Sequence, residues 1–255
     1  MLIKNFFLGV LVVCSVLPLQ SQVVRKSSSK PVRKQVPITK TKMVNTLLWE
    51  VSGHGLREPS YLFGTMHILC AEDARLSAPL KSIIQKSRKV YFEIDMDDMN
   101  EMLGAMKYLR MNDGIKISDL LSKEEYTRLE EYFKKSKTPI PIGMINRFKP
   151  FLVSGLISEQ SMKCKQKNGM EELIMKEASL RDKQIFGLET VQFQASLFDS
   201  IPYEKQAKEL INYIDSIDSY EQSTREMVEV YRKQNLDQLD SLVRKSDPGM
   251  NQYMD

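Results

Sequence analysis

The chain has 255 residues, 42% of them hydrophobic, with 37 Lys+Arg against 33 Asp+Glu, 11 Gly, 10 Pro, 3 Cys and 2 His. That length suits one or two domains with a real core, and the composition excludes a collagen, a disulfide-dense mini-scaffold and a wholly disordered chain. The formal charge of +4 is misleading: eight basic residues and no acid lie within residues 1–42, so 29 basic residues face 33 acidic ones over residues 43–255, and a nucleic-acid partner, which needs a basic patch on the folded part, is not expected.

Taken in chain order, residues 1–22 read as a secretory signal peptide. Lys4 gives a charged start, Phe6 to Leu17 form the apolar stretch, and Pro18, Gln20 and Gln22 break it before it reaches the roughly 20 residues of a membrane span. Residues 23–42 are rich in Ser, Lys and Pro without periodicity, which predicts a flexible basic linker. Its charge could touch an anionic envelope surface. The folded part is expected over 43–255, in an exported protein of the periplasm, envelope or extracellular space. With Cys14 removed along with the leader, Cys70 and Cys164 remain. In an oxidising compartment they could pair as a disulfide or stay as two buried thiols; neither has a partner at zinc-site spacing.

Leu47–Val51 and Ser60–Gly64 read as two β-like runs about the turn cluster Ser52-Gly53-His54-Gly55, which suggests a hairpin with His54 as a turn residue. Ser77 and Pro79 open a helix carrying Leu80, Ile83 and Ile84. Lys89–Asp95 is the clearest strand, with Val90, Phe92 and Ile94 on one face and Tyr91, Glu93 and Asp95 on the other. Residues 98–111 read as a helix whose methionines fill a core. Ser122 and Glu125 form a capping box for the next helix. Further helices are expected after Pro150 and over Met170–Leu180. Lys183–Gly187 reads as a short buried strand, followed by a helix through Phe193, Leu197 and Phe198, and then by helix over Tyr203–Leu242. Strands separated by helices predict an α/β fold, a β-sheet core flanked by helices with a helix-rich second half.

The candidate chemistry sits at strand ends. His67 follows the second β-like run in Gly64-Thr-Met-His67, where a glycine lets the backbone turn at the edge of the sheet. Glu93 and Asp95 place carboxylates on a strand otherwise dressed for burial, which calls for a partner or a ligand. Glu189 lies beside Gly187. One imidazole with two carboxylates begins a divalent-metal site; the plainer alternative pairs the acids with Arg147, Lys149 or Arg181. No nucleophile elbow, phosphate loop, dinucleotide fingerprint or helix-borne zinc motif occurs.

Together, Leu47-Leu-Trp-Glu-Val-Ser-Gly53, Pro59-Ser-Tyr-Leu-Phe-Gly-Thr-Met-His67, Tyr91-Phe-Glu-Ile-Asp95 and Phe186-Gly-Leu-Glu-Thr190 with Gln192 or Gln194 beyond resemble the TraB/GumN family. That family is similar to the Tiki metalloproteases and sits in the erythromycin-esterase/ChaN-like fold group. The resemblance implies a divalent-metal-dependent, peptidase-like hydrolase using Mn, Co or Zn on a peptide or other small substrate. It makes His67 and Glu93 metal ligands, Glu93 and Glu189 the catalytic acids, and Gly64 and Gly187 the motif glycines. Gly169-Met-Glu171 falls where the family shows a glycine and an acid before a helix, and the Cys70/Cys164 pair resembles a disulfide of envelope members. The family's late Arg-Asn pair and second G-x-x-H are absent from this chain, which suggests a C-terminally shortened form. The alternative is a non-catalytic envelope binding protein on the same scaffold. No oligomeric state follows from the sequence.

Overall fold

A computed structural model describes residues 44–136 and 140–246. The expected leader over 1–22 and linker over 23–42 lie outside the described residues, as does the Pro248-Gly249 break.

The hairpin forms as expected. β1 (Leu48–Val51) runs antiparallel to β2 (Ser60–Phe63), with Leu48 opposite Phe63 and Val51 opposite Ser60. Its connection turns through Gly53, His54 and Gly55, all at positive φ (97°, 46° and 87°). Glycine takes that region without steric cost, so two glycines carry the turn and His54 is its exposed middle residue. β3 (Leu69–Cys70) follows, then α1 (Ala78–Lys86), where the Ser77 hydroxyl accepts the Leu80 N–H and Pro79 occupies the first turn. β4 (Lys89–Ile94) leads to α2 (Met99–Tyr108), capped by the Asp98 carboxylate on the amides of Asn100 and Glu101.

The short α3 (Ile117–Leu120) precedes α4 (Lys123–Ser136). At the start of α4, Ser122 Oγ accepts from Glu125 N–H and Glu125 Oε2 accepts from Ser122 N–H, the reciprocal box read from the sequence. α5 (Ile142–Ile145) and α6 (Pro150–Ser161) come next, then β5 (Lys167–Asn168), α7 (Met170–Ser179) and β6 (Gln184–Glu189). Four helices end the described chain: α8 (Val191–Leu197), α9 (Tyr203–Asp215), α10 (Ile217–Arg232) and α11 (Leu236–Ser246).

The α/β class and the helix-rich second half hold, but the sheet is divided. Among the described residues there are three two-stranded pieces: β1–β2, β3–β5 and β4–β6. β4 and β6 are parallel, Lys89 opposite Gln184 and Ile94 opposite Glu189, so the helices between them form the crossover that a parallel pair demands. β6 also runs two residues beyond Gly187 and is half-buried rather than buried, with Leu188 exposed. Glu189 is therefore the last residue of the strand.

Apolar burial divides the same way. α1, β4 and α7 close over Leu80, Ile84, Phe92, Ile174 and Ala178. The larger core is helical and centres on Leu129, Ile145, Phe148, Ile157 and Leu210. Met102 and Met111 are buried, as core-filling methionines should be, while Met99 is exposed. Lys149, 2% exposed, donates to the Ala195 carbonyl (2.7 Å) and pairs with Asp199 (2.8 Å); it anchors the end of α8, the hydrogen-bonded pairing that a buried ammonium requires. Cys70 and Cys164 form a disulfide with Cα atoms 5.7 Å apart, joining β3 to the segment after α6. No helix among the described residues is long and apolar enough to cross a membrane.

Candidate functional site

The site forms where β2, β4 and β6 end against the first turns of α7 and α8. The chain leaves β2 through Gly64, whose N–H donates to the Leu47 carbonyl (2.9 Å) and whose carbonyl accepts from the Tyr231 hydroxyl (3.2 Å). These two bonds fix the backbone from which Thr65 and His67 project. His67 Nδ1 lies 2.8 Å from Glu171 Oε1, and the Thr65 hydroxyl donates to the same oxygen. Glu171 Oε2 is buried without a hydrogen-bond partner.

The second cluster is built from β4, β6 and α8. Gln194 Nε2 lies 3.3 Å from Glu93 Oε2 and 3.3 Å from Glu189 Oε2, so one amide bridges the two acids. α8 is set for this by the Thr190 hydroxyl, which accepts the Phe193 N–H, and by Glu101 of α2, which accepts the Val191 N–H at 2.6 Å. Gly187 is required by the pairing of β4 with β6: a Cβ there would meet the Asp95 nitrogen at 2.6 Å and the Glu189 carbonyl oxygen at 2.9 Å. Thr65, His67, Glu93, Glu171 and Gln194 all face one cavity of about 900 Å³. Glu189 does not line it and reaches the cluster through Gln194.

The electrostatics separate the carboxylates. Partial loss of water raises the Glu93 carboxyl above its ordinary value; the His67 charge and the Gln194 hydrogen bond pull it back, and Glu171 and Glu189 add to the rise. Burial also pushes Glu171 upward, but the hydrogen bond and charge of His67, with the Thr65 hydroxyl, outweigh it and leave the group below its ordinary value. Glu171 is thus held ionised against His67 while Glu93 keeps its proton more readily. Burial, with Glu171 nearby, pushes the Tyr231 hydroxyl up to about 12.

The structure therefore brings His67 and Glu93 to one cavity and Glu189 to its edge. The plainer pairings of the acids give way: Lys149 binds Asp199 and Arg181 binds Glu177. Asp95 turns to its own backbone, accepting from Asp97 N–H (3.0 Å). Sequence reasoning underrated Glu171. An acid in the first turn of a helix is ordinary complementation of the helix dipole, and nothing local marks this one as the partner of an imidazole 104 residues away.

One imidazole with carboxylate oxygens, one of them buried and unpartnered, is a donor set that suits a divalent ion. The set is open: among the described residues no group of three or more His, Cys, Asp or Glu is close enough to hold a metal. His67 and Glu93 would contribute to a centre that needs further donors, with Glu171 holding the imidazole from its other side.

The profile of the TraB/PrgY/gumN family matches residues 47–255. The chain is similar to metalloprotease TIKI2 of Xenopus tropicalis, 28% identical over 102 residues, covering 40% of this chain and 19% of that protein. It is similar to the metalloprotease TIKI homolog of Nematostella vectensis, 28% identical over 112 residues (44% and 23%), and to TIKI2 of Danio rerio, 29% identical over 104 residues (40% and 20%). The aligned stretches span about a fifth of the length of these relatives. No solved structure matches.

Proposed function

The chain belongs to the TraB/PrgY/gumN family, and from that premise we propose that it is an exported, divalent-metal-dependent hydrolase acting on peptides. The observation that carries this reading is the contact of His67 with an ionised Glu171 whose second oxygen is buried and unpartnered, facing the same cavity as Glu93. The disulfide supports an oxidising compartment.

Each group has a task. Glu171 accepts the Nδ1 proton of His67, which leaves the lone pair on Nε2 and fixes the ring, the outer-shell role that orients a ligating histidine. His67 Nε2 and a Glu93 oxygen would contribute ligands to the ion, with further donors needed to complete the set. A bound divalent ion supplies Lewis acidity to a substrate carbonyl. Glu93, its carboxyl raised above the ordinary value by partial loss of water, is the group suited to take a proton from the attacking water and return it to the leaving amine. Gln194 sets the orientation of Glu93 and ties Glu189 to it.

The test is His67→Ala, read by bound-metal stoichiometry after loading with Mn, Co or Zn and by cleavage of a fluorogenic peptide library. The wild type is expected to take up an ion and cleave; the variant should lose both while its far-UV circular dichroism is retained. Unchanged metal stoichiometry in the variant overturns the reading. A wild-type protein that cleaves nothing with any of the three ions, and whose variant loses only stability, would support the non-catalytic binding role instead.

A further inference from the structure

Three side chains at the end of α10 reach back to the segment that carries His67. The Tyr231 hydroxyl donates to the Gly64 carbonyl at 3.2 Å, across 167 residues of sequence. The Arg232 guanidinium holds Asp73 as a fork, Nε to Oδ1 at 2.6 Å and Nη2 to Oδ2 at 2.7 Å. The Gln234 side-chain oxygen accepts the Leu47 N–H at 3.3 Å. The attachment points bracket Gly64-Thr-Met-His67 from both sides. Leu47 precedes β1 and offers its own carbonyl to the Gly64 N–H, and Asp73 lies just beyond β3.

The backbone of Gln234 shows that this turn does more than end a helix. α10 closes in a Schellman motif, with the Asn235 N–H on the Val230 carbonyl (3.4 Å) and the Gln234 N–H on the Tyr231 carbonyl (2.8 Å). The left-handed position of that motif ordinarily holds glycine. Here it holds Gln234, at φ 54°. A side chain in that region strains the backbone, and what it returns is the acceptor for Leu47. The Tyr231 ring completes the arrangement. It is buried in one apolar cluster with Leu47, Leu69 and Met170. Leu69 follows His67 by two positions, and Met170 immediately precedes Glu171. The ring therefore packs among residues that flank the imidazole and residues that flank its carboxylate partner.

We propose that the last turn of α10 is a clamp on the candidate site, with Tyr231 as a positioning residue that sets the Gly64-Thr-Met-His67 turn so that His67 Nδ1 meets Glu171. Tyr231 touches none of the reacting atoms. It acts through the turn, and the turn sets which ring nitrogen carries the proton, leaving Nε2 free to ligate. Gln234 supports it through Leu47, and Arg232 through Asp73. The inference rests on the hydrolase reading only for what the placed imidazole then does; the placement itself needs neither metal nor substrate.

The experiment uses the isotope-labelled full chain without metal. The chain has two histidines, and His54, exposed at the hairpin turn, is the internal reference. Proton–nitrogen spectra of the rings at one fixed pH are expected to show His67 with its Nδ1 proton held against Glu171, and His54 as an averaging mixture. Tyr231→Phe keeps the ring and removes the hydroxyl. It should move His67 towards the averaged pattern, leave His54 unchanged and speed amide exchange at residues 65–67 at least tenfold, with exchange in α9 unaltered. Gln234→Gly places glycine where the helix end favours it. It should speed exchange at Leu47 and Gly64 at least threefold while the urea midpoint holds or rises, an opposition that a merely structural role does not produce. Unchanged His67 ring signals in Tyr231→Phe overturn the proposal, as does faster exchange spread evenly over the chain. Should Tyr231→Phe fail to fold, unaltered exchange at Leu47 and Gly64 in Gln234→Gly overturns it alone. The hydrolase reading fails separately: a wild type that takes up no ion and cleaves nothing, with the His67 signals moved as expected, keeps the clamp and rejects the hydrolase. Unmoved signals in a variant of a wild type that does cleave reject the clamp and keep the hydrolase.

Discussion

The two motif glycines are alike in sequence and unlike in surroundings. A Cβ at Gly64 would meet only the Leu47 side chain, at an ordinary 3.5 Å, whereas at Gly187 it would strike the backbone of β4. Gly64→Ala should thus change stability by within about 0.5 kcal/mol, and Gly187→Ala should cost about 1–3 kcal/mol, because backbone cannot step aside as a side chain can. Denaturant unfolding of the two variants checks this, and equal costs would contradict the pairing of β4 with β6. The reach of sequence reasoning at this scale follows from the same contrast. His67 and Glu93 could be picked out because an imidazole after a strand-ending glycine and a carboxylate on an apolar strand are locally out of place. Glu171 and Gln194 entered only through the family resemblance and without a role, because each is unremarkable on its own helix and acquires meaning only from the residues it meets across the fold.

At the scale of elements, the caps were the most legible features, since each is written within four residues. The Ser77 cap of α1 and the Ser122/Glu125 box of α4 are as the sequence implies. The box has a further partner that no local pattern shows. Lys208 of α9 donates to both Glu125 oxygens, at 2.6 and 2.7 Å. That bond, and the one from the Ser122 amide, lower the Glu125 pKa from its ordinary 4.5 to about 2. A carboxyl depressed on folding contributes stability that is complete above its unfolded pKa and is lost as pH falls through the folded one. The melting temperature of the wild type should therefore drop between about pH 4.5 and pH 2 by more than that of Glu125→Gln. Parallel melting curves across that window would show that the contact contributes nothing. β6 was less legible than the caps: Gly187 reads as a strand end, yet pairing with β4 carries the strand on to Glu189.

For the whole molecule, alternation of strands and helices gave the α/β class, but not the number of strands that pair. A period of two tells which face of a strand is buried and is silent on its neighbours. The separation of β2 from β4 therefore emerged only in three dimensions. The disulfide acts at this scale. It joins positions 94 residues apart, and in the chain-entropy account its loss should cost about 4 kcal/mol. Cys164→Ser, compared with the oxidised wild type by urea unfolding, is expected to show a loss of that order, and an unchanged midpoint would assign the bond no structural role.

Cys70 follows His67 by three positions and Cys164 precedes Glu171 by seven, with β3 paired to β5 between them. The covalent bridge thus clamps together the two stretches of backbone that bring imidazole to carboxylate. Without that bridge, the short pairing of β3 with β5 would be left to keep those stretches in register.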